Sequence, residues 1–343
     1  MRRLLNTLYV TTQGSYLNRE REEVVVQTEG ATRLRVPIHT LEGIVCFGQV
    51  SCSPWLIELC GKRGVDITFL SLYGRFWGRV VGPASGNVLL RREQYRQADD
   101  LLKSAEIARA IVAAKVANSR GVLQRAVRDY PEKLGAVHLE DAVRRLGSVL
   151  KELQEPAALD TVRGREGEAA RHYYAAFDHL IVVQGDDFRF TERSRRPPLD
   201  NINALLSFLY TLLMRDVASA VQAVGLDPQA GFLHRDRPGR LGLALDLMEE
   251  LRSFVADRLA LSLVNRQQIT GAGFRRTESG AVVMEEGTRK EVIVAYQKRK
   301  QNEIEHPFLG EKVPIGLLPF TQSLLLARYL RGDIDGYPPF FWR

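Results

Sequence analysis

The spacing of apolar residues changes once along the chain, near residue 92. Before that point, apolar residues form short runs that are rich in β-branched and aromatic side chains and are separated by Gly, Asn or charged residues. Such runs are typical of β-strands. Residues 1–92 are therefore predicted to form a small β-rich domain. The runs are LNTLYV, EEVVVQT, TRLRVPI, GIVCFG, VDITFLSL and RFWGRVVG.

One helix is expected to interrupt these strands, in the segment SPWLIELCGKRG. Ser53 is a favourable N-cap, and Pro54 suits the first helical position because that position needs no amide hydrogen. Gly61 or Gly64 would end the helix.

After Arg92 the apolar residues recur with the 3.6-residue period of amphipathic helices. Residues 93–104 are interpreted as a linker, and residues 105–343 as a helical domain. The predicted fold is α+β, with a small β-rich domain followed by a larger all-α-helical domain. The helical segments are QADDLLKSAEIARAIVAAKVANSRGVLQRAV, LEDAVRRLGSVLKELQ, GREGEAARHYYAAFDHLIV, NINALLSFLYTLLMRDVASAVQAV, LALDLMEELRSFVADRLALSLV, TRKEVIVAYQKRKQNEI and TQSLLLARYLRG.

Composition and charge favour a nucleic-acid partner. The 343 residues are 45% hydrophobic and 26% charged, which is ordinary for globular proteins, and the net charge is +7. An excess of positive charge favours a polyanion over an acidic small molecule. No segment resembles a signal peptide or a membrane span, so we expect a cytoplasmic protein without a membrane partner. The spacing of Cys46, Cys52 and Cys60 fits no zinc site, and these thiols are expected to be reduced and mostly buried.

The segment GFLHRDRPGRLGLALDLMEELR combines a basic loop that contains His234 with a helix that carries acids. At about 100° per residue, Leu247 and Leu251 fall on the core side, whereas Asp246 and Glu249 fall on the opposite flank. Two interpretations follow. Either the acids form a solvated helix face near the positive end of the helix dipole, or His234 folds over the same flank to complete a metal site.

A second acidic helix lies in RGREGEAARHYYAAFDHLI. The same helical phase turns Glu166 towards the protein interior and Glu168 towards solvent. A buried carboxylate needs a cation, a metal ion or hydrogen-bond donors. Glu166 is therefore expected either to pair with an arginine or to join His234 and Glu249 around a metal ion. One His and two carboxylates suit an octahedral ion such as Mg²⁺ or Mn²⁺ better than zinc.

Eight arginines near these segments are candidate contacts to DNA phosphates. Each would otherwise be solvated or held in a surface ion pair. Three of them lie in the segment TERSRRPPLD, which is predicted to be a surface loop that ends in an Asp N-cap. The eight are Arg163, Arg165, Arg193, Arg195, Arg196, Arg235, Arg237 and Arg240.

Three blocks together resemble one family. RGREGEAARHYY, RRPPLDNINALLSFLYTLL and GFLHRDRPGRLGLALDLMEELR follow an N-terminal β-rich region, as in the CRISPR-associated integrases of the "Cas-one" family. The resemblance implies a homodimer with one Mg²⁺ or Mn²⁺ site per protomer. Matched to the family's motifs, Glu166, His234 and Glu249 would be the catalytic metal ligands, and Asp246 an accessory acid. The ending GYPPFFWR further resembles the type I-C branch of the family.

The activity implied by this resemblance is the insertion of new spacers into a CRISPR array. The 3′-hydroxyl of a captured DNA fragment would attack a phosphodiester at the edge of a repeat, with the help of a small partner subunit, "Cas-two". Two alternatives use the same surface. A structure-selective nuclease would hydrolyse branched DNA with the same ligands, and a non-catalytic DNA-binding scaffold would need only the basic residues.

Overall fold

The computed structural model describes residues 7–41, 43–72, 76–82, 88–129, 135–183 and 186–342. The chain divides into two compact units, Met1–Gly86 and Asn87–Arg343. The predicted division is close to this boundary, although residue 92 lies within the first helix of the second unit.

The described residues of the first unit form two four-stranded sheets. Strands β1, β5 and β7 are parallel to one another and β8 is antiparallel to β7, whereas β4, β3 and β2 are antiparallel and β6 is parallel to β2. The expected strands are present among the described residues, and β2 and β6 were not predicted. The strands are β1 Thr7–Val10, β2 Ser15–Glu20, β3 Glu23–Thr28, β4 Ala31–Pro37, β5 Gly43–Phe47, β6 Val50–Cys52, β7 Asp66–Leu70 and β8 Phe76–Val80.

Helix α1, Pro54–Arg63, has the predicted ends. The Ser53 hydroxyl accepts a hydrogen bond from the amide of Leu56, and Gly64 adopts a left-handed conformation with φ of 68° at the C-terminus. Its apolar face packs on a core that includes strands from both sheets, with Leu17 and Ile44 fully buried.

The three cysteines of this unit are free thiols. Cys46 and Cys60 are buried, as expected, and Cys52 is half-buried. Burial, with smaller contributions from Cys52 and Asp66, raises the pKa of the Cys60 thiol to about 12. The Cys60 thiol is therefore protonated at neutral pH.

The second unit is mostly helical, but it is not all-α. Two antiparallel two-stranded sheets, β9–β10 and β11–β12, lie among the helices. The expected linker at 93–104 is also wrong, because helices cover that segment on both sides of Asp100. The elements are α2 Val88–Asp99, α3 Leu101–Asp129, α4 Ala136–Glu152, α5 Leu159–Ala175, α6 Asn201–Val224, α7 Gly242–Leu251, α8 Arg258–Asn265, β9 Phe274–Arg276, β10 Val282–Met284, α9 Glu286–Gln301, β11 Glu303–Glu305, β12 Lys312–Pro314 and α10 Leu318–Leu330.

Helix α6 is largely buried within this unit. Its length and composition would allow it to cross a membrane, but 78% of its most apolar window is buried within the protein, as in the core helix of a soluble protein. The predicted N-cap Asp200 accepts a hydrogen bond from the amide of Asn203. The segment 191–200 before it is a loop, as predicted from its sequence. Helices α7 and α10 both pack against α6.

Candidate active site

Helix α7 carries two of the predicted site acids and is enclosed on several sides. It packs against α3, α6 and α10, and a π-helical turn, Arg252–Asp257, continues it into α8. Asp246 and Glu249 are consequently buried, with 0% and 3% of their surface exposed. The interpretation of a solvated acidic face is therefore wrong. The helical phase identifies only the apolar side of α7, whereas neighbouring helices also cover the side that carries the acids.

Asp246 holds the loop that precedes α7. Its carboxylate accepts hydrogen bonds from the backbone amides of Phe232, Leu233 and His234, at 2.6, 3.0 and 3.0 Å. Gly231 is required beside it, because a Cβ there would lie 2.8 Å from Asp246 Oδ2. Asp246 thus fixes the path of the chain at His234.

The same carboxylate orients the His234 ring. Nδ1 of His234 lies 2.6 Å from Oδ1 of Asp246. An ionised carboxylate can only accept a hydrogen bond, so in the neutral imidazole Nδ1 carries the proton and Nε2 keeps its lone pair. This arrangement, a carboxylate behind a histidine, is the one that orients metal-binding histidines in proteins.

Glu249 lies between two cations. Lys115 Nζ is 2.7 Å from its Oε2, and a guanidinium nitrogen of Arg252 is 2.7 Å from its Oε1. Burial acts to raise the pKa of Glu249, but Arg252, Lys115 and His234 outweigh burial and lower it to about 2. Glu249 is therefore ionised at neutral pH.

Glu166 forms an ion pair with the same lysine. Its side chain is 29% exposed and that of Glu168 is 33% exposed, so the predicted contrast in burial is wrong. The two glutamates differ in their partners instead. Glu168 pairs with Arg165 at 3.0 Å and with His172 at 3.8 Å on the outer surface of α5. Glu166 faces Lys115, which takes the place of the expected arginine.

Lys115 is the main site residue that sequence reasoning missed. Burial acts to lower the pKa of this ammonium, but the carboxylates of Glu249 and Glu166 outweigh burial and raise it. The side chain is therefore a buried cation shared by α5 and α7. A signal was present in the sequence, because Lys115 interrupts the apolar run IVAAKVA in α3. Arg252, three residues after Glu249, was missed as well.

A cleft of about 530 Å³ opens beside these acids. Both Glu166 and His234 line it, and four of the predicted arginines surround them. Arg163 is held in place by hydrogen bonds to the carbonyl of Leu233, at 2.7 Å, and to Asp160, at 2.9 Å. The lining residues are Asp160, Arg163, Gly164, Glu166, Leu233, His234, Arg235, Arg237 and Arg240.

The other four predicted arginines do not line this cleft. Arg195 and Arg196 are exposed on the 191–200 loop. Arg165 forms ion pairs with Glu152 and Glu168.

Arg193 is engaged within the protein. Its guanidinium donates hydrogen bonds to Asn203 and Ser207 and lies 5.3 Å from the centre of the Tyr210 ring. These contacts already engage the guanidinium group that a contact to a DNA phosphate would use.

The donors of this site suit a hard divalent ion, although the side chains do not converge on one point. Within the described part of the chain, no three His, Cys, Asp or Glu side chains are close enough together to hold a metal ion. Glu166 and Glu249 instead share the Lys115 ammonium. Two carboxylates drawn to one cation and the oriented imidazole of His234 are nevertheless the donor types that Mg²⁺ and Mn²⁺ accept.

Comparison with known proteins gives a consistent family. A family model described as "CRISPR associated protein Cas1" matches residues 8–298. The "CRISPR-associated endonuclease Cas1 1" of Chlorobaculum tepidum is 54% identical to this chain over 343 residues, and the match covers 100% of each.

Two solved structures have a similar fold. One is "Casposase bound to integration product", with a TM-score of 0.83, 22% identity, and coverage of 97% of this chain and 93% of that one. The other is a "Cas6-RT-Cas1--Cas2 complex", with a TM-score of 0.83, 19% identity, and coverage of 98% of this chain and 36% of that one. At these sequence identities, the similarity shows a common fold and nothing further. Because the family model spans most of the sequence and the Chlorobaculum relative matches it from end to end, the chain belongs to the CRISPR-associated Cas1 family.

Proposed function

We propose that this protein is a divalent-metal-dependent DNA integrase and endonuclease that inserts new spacers into a CRISPR array. The observation that carries the proposal is the placement of two carboxylates and an oriented histidine beside a cleft with four arginines. Acids that bind a cation and arginines that bind phosphate are the two requirements of metal-assisted phosphodiester chemistry.

Glu166, His234 and Glu249 are the proposed ligands of Mg²⁺ or Mn²⁺. The ionised state of Glu249 supports this role, because a metal ligand must be deprotonated. His234 would coordinate through Nε2, since Nδ1 faces Asp246. When bound, the ion would stabilise charge at the phosphorus centre and activate the attacking oxygen.

The accessory acid Asp246 acts on the ligands rather than on the substrate. It is fully buried and all its partners belong to the loop 231–234. We infer that Asp246 holds the His234 ring in one tautomer and one orientation.

The cleft arginines are the proposed contacts to DNA phosphates. Arg235 and Arg237 are exposed and Arg240 is half-buried, so their guanidinium groups can reach a bound duplex. Arg163 is fixed by Leu233 and Asp160 and would present a pre-oriented donor. Arg195 and Arg196 remain proposed contacts outside the cleft.

The proposed partners are double-stranded DNA, a second copy of this chain and a small Cas2 subunit. The two solved structures support DNA and Cas2 as partners, because one is a casposase bound to an integration product and the other is a Cas6-RT-Cas1--Cas2 complex. The β-rich unit is proposed to mediate dimerisation, and the protein to act in the cytoplasm. Assignment to the type I-C branch stays a prediction from the sequence.

Hydrolysis of branched DNA is the alternative that the same residues would support. Water would then replace the 3′-hydroxyl as nucleophile, with no change in the residues used. A purely DNA-binding scaffold is disfavoured, because it gives no reason to bury an ionised carboxylate between two cations, which is costly to assemble.

A strand-transfer assay separates these functions. A fluorescent DNA fragment with free 3′-hydroxyl ends is incubated with repeat-containing plasmid, Mn²⁺, and the protein with and without Cas2. Integrase activity joins the label to the plasmid, whereas a nuclease cuts the DNA without joining it. A fragment with 3′-dideoxy ends is the matched control and should not be joined. Binding without any Mn²⁺-dependent joining or cleavage would overturn the proposal.

A further inference from the structure

The last described residues of the chain bind directly behind the active site. We name residues 337–342 the C-terminal strap; Arg343 lies outside the described residues. The strap uses both oxygens of Glu250, which follows Glu249 on α7. The Tyr337 hydroxyl donates to Oε1 at 2.6 Å, and the Phe340 amide donates to Oε2 at 2.8 Å.

Asn118 on α3 joins the strap to the same helix. Its side-chain amide donates to the carbonyl of Glu250 at 2.7 Å and to the carbonyl of Phe340 at 2.8 Å. Its Oδ1 accepts from the amide of Trp342 at 2.7 Å. One fully buried asparagine therefore connects α3, α7 and the strap.

Apolar packing fixes the end of the strap. Phe340 is fully buried, and its ring lies 5.5 Å from that of Phe254. The Trp342 ring lies 5.3 Å from the same phenylalanine, and the Arg258 guanidinium lies 4.2 Å from the Trp342 ring centre. Aromatic and cation–π contacts at these distances add to the energy of burial.

A second layer supports the strap from α10. The Gln322 amide donates to Glu250 Oε2 at 2.9 Å and to the Tyr337 hydroxyl at 2.9 Å. The Oε1 atom of Gln322 lies 2.9 Å from Nε2 of His306. Both carboxylate oxygens of Glu250 thus accept hydrogen bonds. Leaving one of these buried donors or acceptors without a partner would cost free energy.

The strap and the active site use neighbouring residues of the same two helices. Glu249 and Glu250 are consecutive on α7 and point about 100° apart. Lys115 and Asn118 are three residues apart on α3 and lie on one side of it. The pair Lys115–Glu249 belongs to the active site, and the pair Asn118–Glu250 belongs to the strap contact.

We propose that the C-terminal strap is a positioning element of the active site. By holding Glu250 and Asn118 together, it fixes the rotation of α7 about its own axis relative to α3. Glu249 is thereby kept opposite Lys115 and Glu166. The strap residues act through Glu249, and none of residues 337–342 lines the cleft. This inference rests on the proposed role of Glu249.

Tyr337→Phe is the most conservative test, because it removes one donor to Glu250 and keeps the ring. Tyr296→Phe is the matched control, since Tyr296 donates to buried Asp216 at 2.8 Å in the same unit, on α9. Both changes should lower the melting temperature. Only Tyr337→Phe should weaken Mn²⁺ binding measured by calorimetry without DNA, by roughly tenfold, the low end for residues behind metal ligands. Equal Mn²⁺ affinity in both variants would overturn the inference.

Amide hydrogen exchange gives a readout that needs no catalytic activity. In a variant truncated after residue 336, exchange should rise in α7 and in α3 around Asn118, and stay unchanged in α9. Unchanged exchange in α7 would refute the strap's role, whatever reaction the protein catalyses. If the parent protein does not join DNA in the presence of Mn²⁺ but the exchange result is as expected, only the proposed function would be refuted. If the truncated protein does not fold, the same comparison is made between Tyr337→Phe and Tyr296→Phe.

Discussion

The Lys115 ammonium lies 2.7 Å from Oε2 of Glu249 and forms a second ion pair with Glu166. One buried cation on α3 therefore joins carboxylates from two other helices. Without that cation, the two negative carboxylates would repel each other. Lys115 offsets that repulsion and holds the two acids close together.

Lys115→Met should destabilise the metal-free protein, because two carboxylates lose a shared cation. Arg252 still pairs with Glu249, so we expect a loss of about 2 kcal/mol, below the range for an unpaired buried charge. Mn²⁺ should then raise the melting temperature of the variant more than that of the parent. Lys103→Met on the same helix is the control, since Lys103 is exposed and lies 3.7 Å from Glu106. An identical Mn²⁺ response in the parent and Lys115→Met would contradict the role given to Lys115.

Glu166→Gln and Glu168→Gln should have different effects on strand transfer, although the two side chains are similarly exposed. Glu166 faces Lys115 and lines the cleft, whereas Glu168 pairs with Arg165 and His172. We expect a loss of about 100-fold or more for Glu166→Gln, at least as large as for residues behind metal ligands. Glu168→Gln should stay within about threefold. DNA affinity, measured in parallel, should change little in either variant, and equal losses of strand transfer would refute the assignment.

Asp246→Asn should weaken metal binding although it replaces none of the proposed metal ligands. An amide offers one acceptor oxygen in place of two, and its NH₂ group would face backbone amides that need an acceptor. We expect Mn²⁺ affinity to fall by about 10- to 100-fold in calorimetry. Asp227→Asn is the control, because Asp227 also accepts a backbone amide but lies outside the site. If Asp246→Asn bound Mn²⁺ like the parent protein, the proposed support of His234 would be wrong.

Charge reversal in the cleft should change the salt dependence of DNA binding. Each phosphate contact contributes a slope of roughly 0.9 to the fall of log K with log salt on duplex DNA. Arg237→Glu and Arg240→Glu should each make the slope shallower by roughly 0.9, the contribution of one phosphate contact. Arg165→Glu should leave it unchanged, because Arg165 is held by Glu152 and Glu168. Fluorescence anisotropy between about 50 and 200 mM salt measures the slopes. Unchanged slopes for both cleft variants would exclude these contacts.

Asp257 should make stability depend on pH in a window that differs from that of Glu249. Burial, opposed by the hydroxyls of Tyr210 and Tyr173 and by Arg252, raises its pKa from 3.8 to about 6. Its contribution to stability is therefore complete below pH 3.8 and is lost as the pH rises through 6. The lowered pKa of Glu249 acts in the opposite direction, and that stability is lost only as the pH falls from 4.5 through about 2.

The measurement is the difference in unfolding free energy between the parent protein and Asp257→Asn, from urea titrations between pH 4 and 7.5. As the pH rises across this range, the parent protein should lose up to about 3 kcal/mol of unfolding free energy relative to the variant. A difference that is constant with pH would show that Asp257 does not titrate as proposed.

The sequence alone predicted strands in the first part of the chain, helices in most of the second part, and the family. The change from short β-branched runs to a 3.6-residue period lies close to the boundary between the two units. Local signals with a direct physical cause were also correct, such as Ser53 at the start of α1 and Asp200 at the start of α6. Signals of this kind act within one turn of the chain and need no information about distant residues.

Only the tertiary structure decided how the site residues are surrounded. The periodicity of α7 gives its own apolar side, but it does not reveal that α3, α6 and α10 enclose the helix and bury Asp246 and Glu249. Lys115 lies 51 residues before Glu166, and no pattern within one helix could connect them. Ion pairs of this kind form between elements that are brought together by the burial of apolar surface elsewhere. The local sequence specifies each helix, and the packing of all of them decides which charges meet.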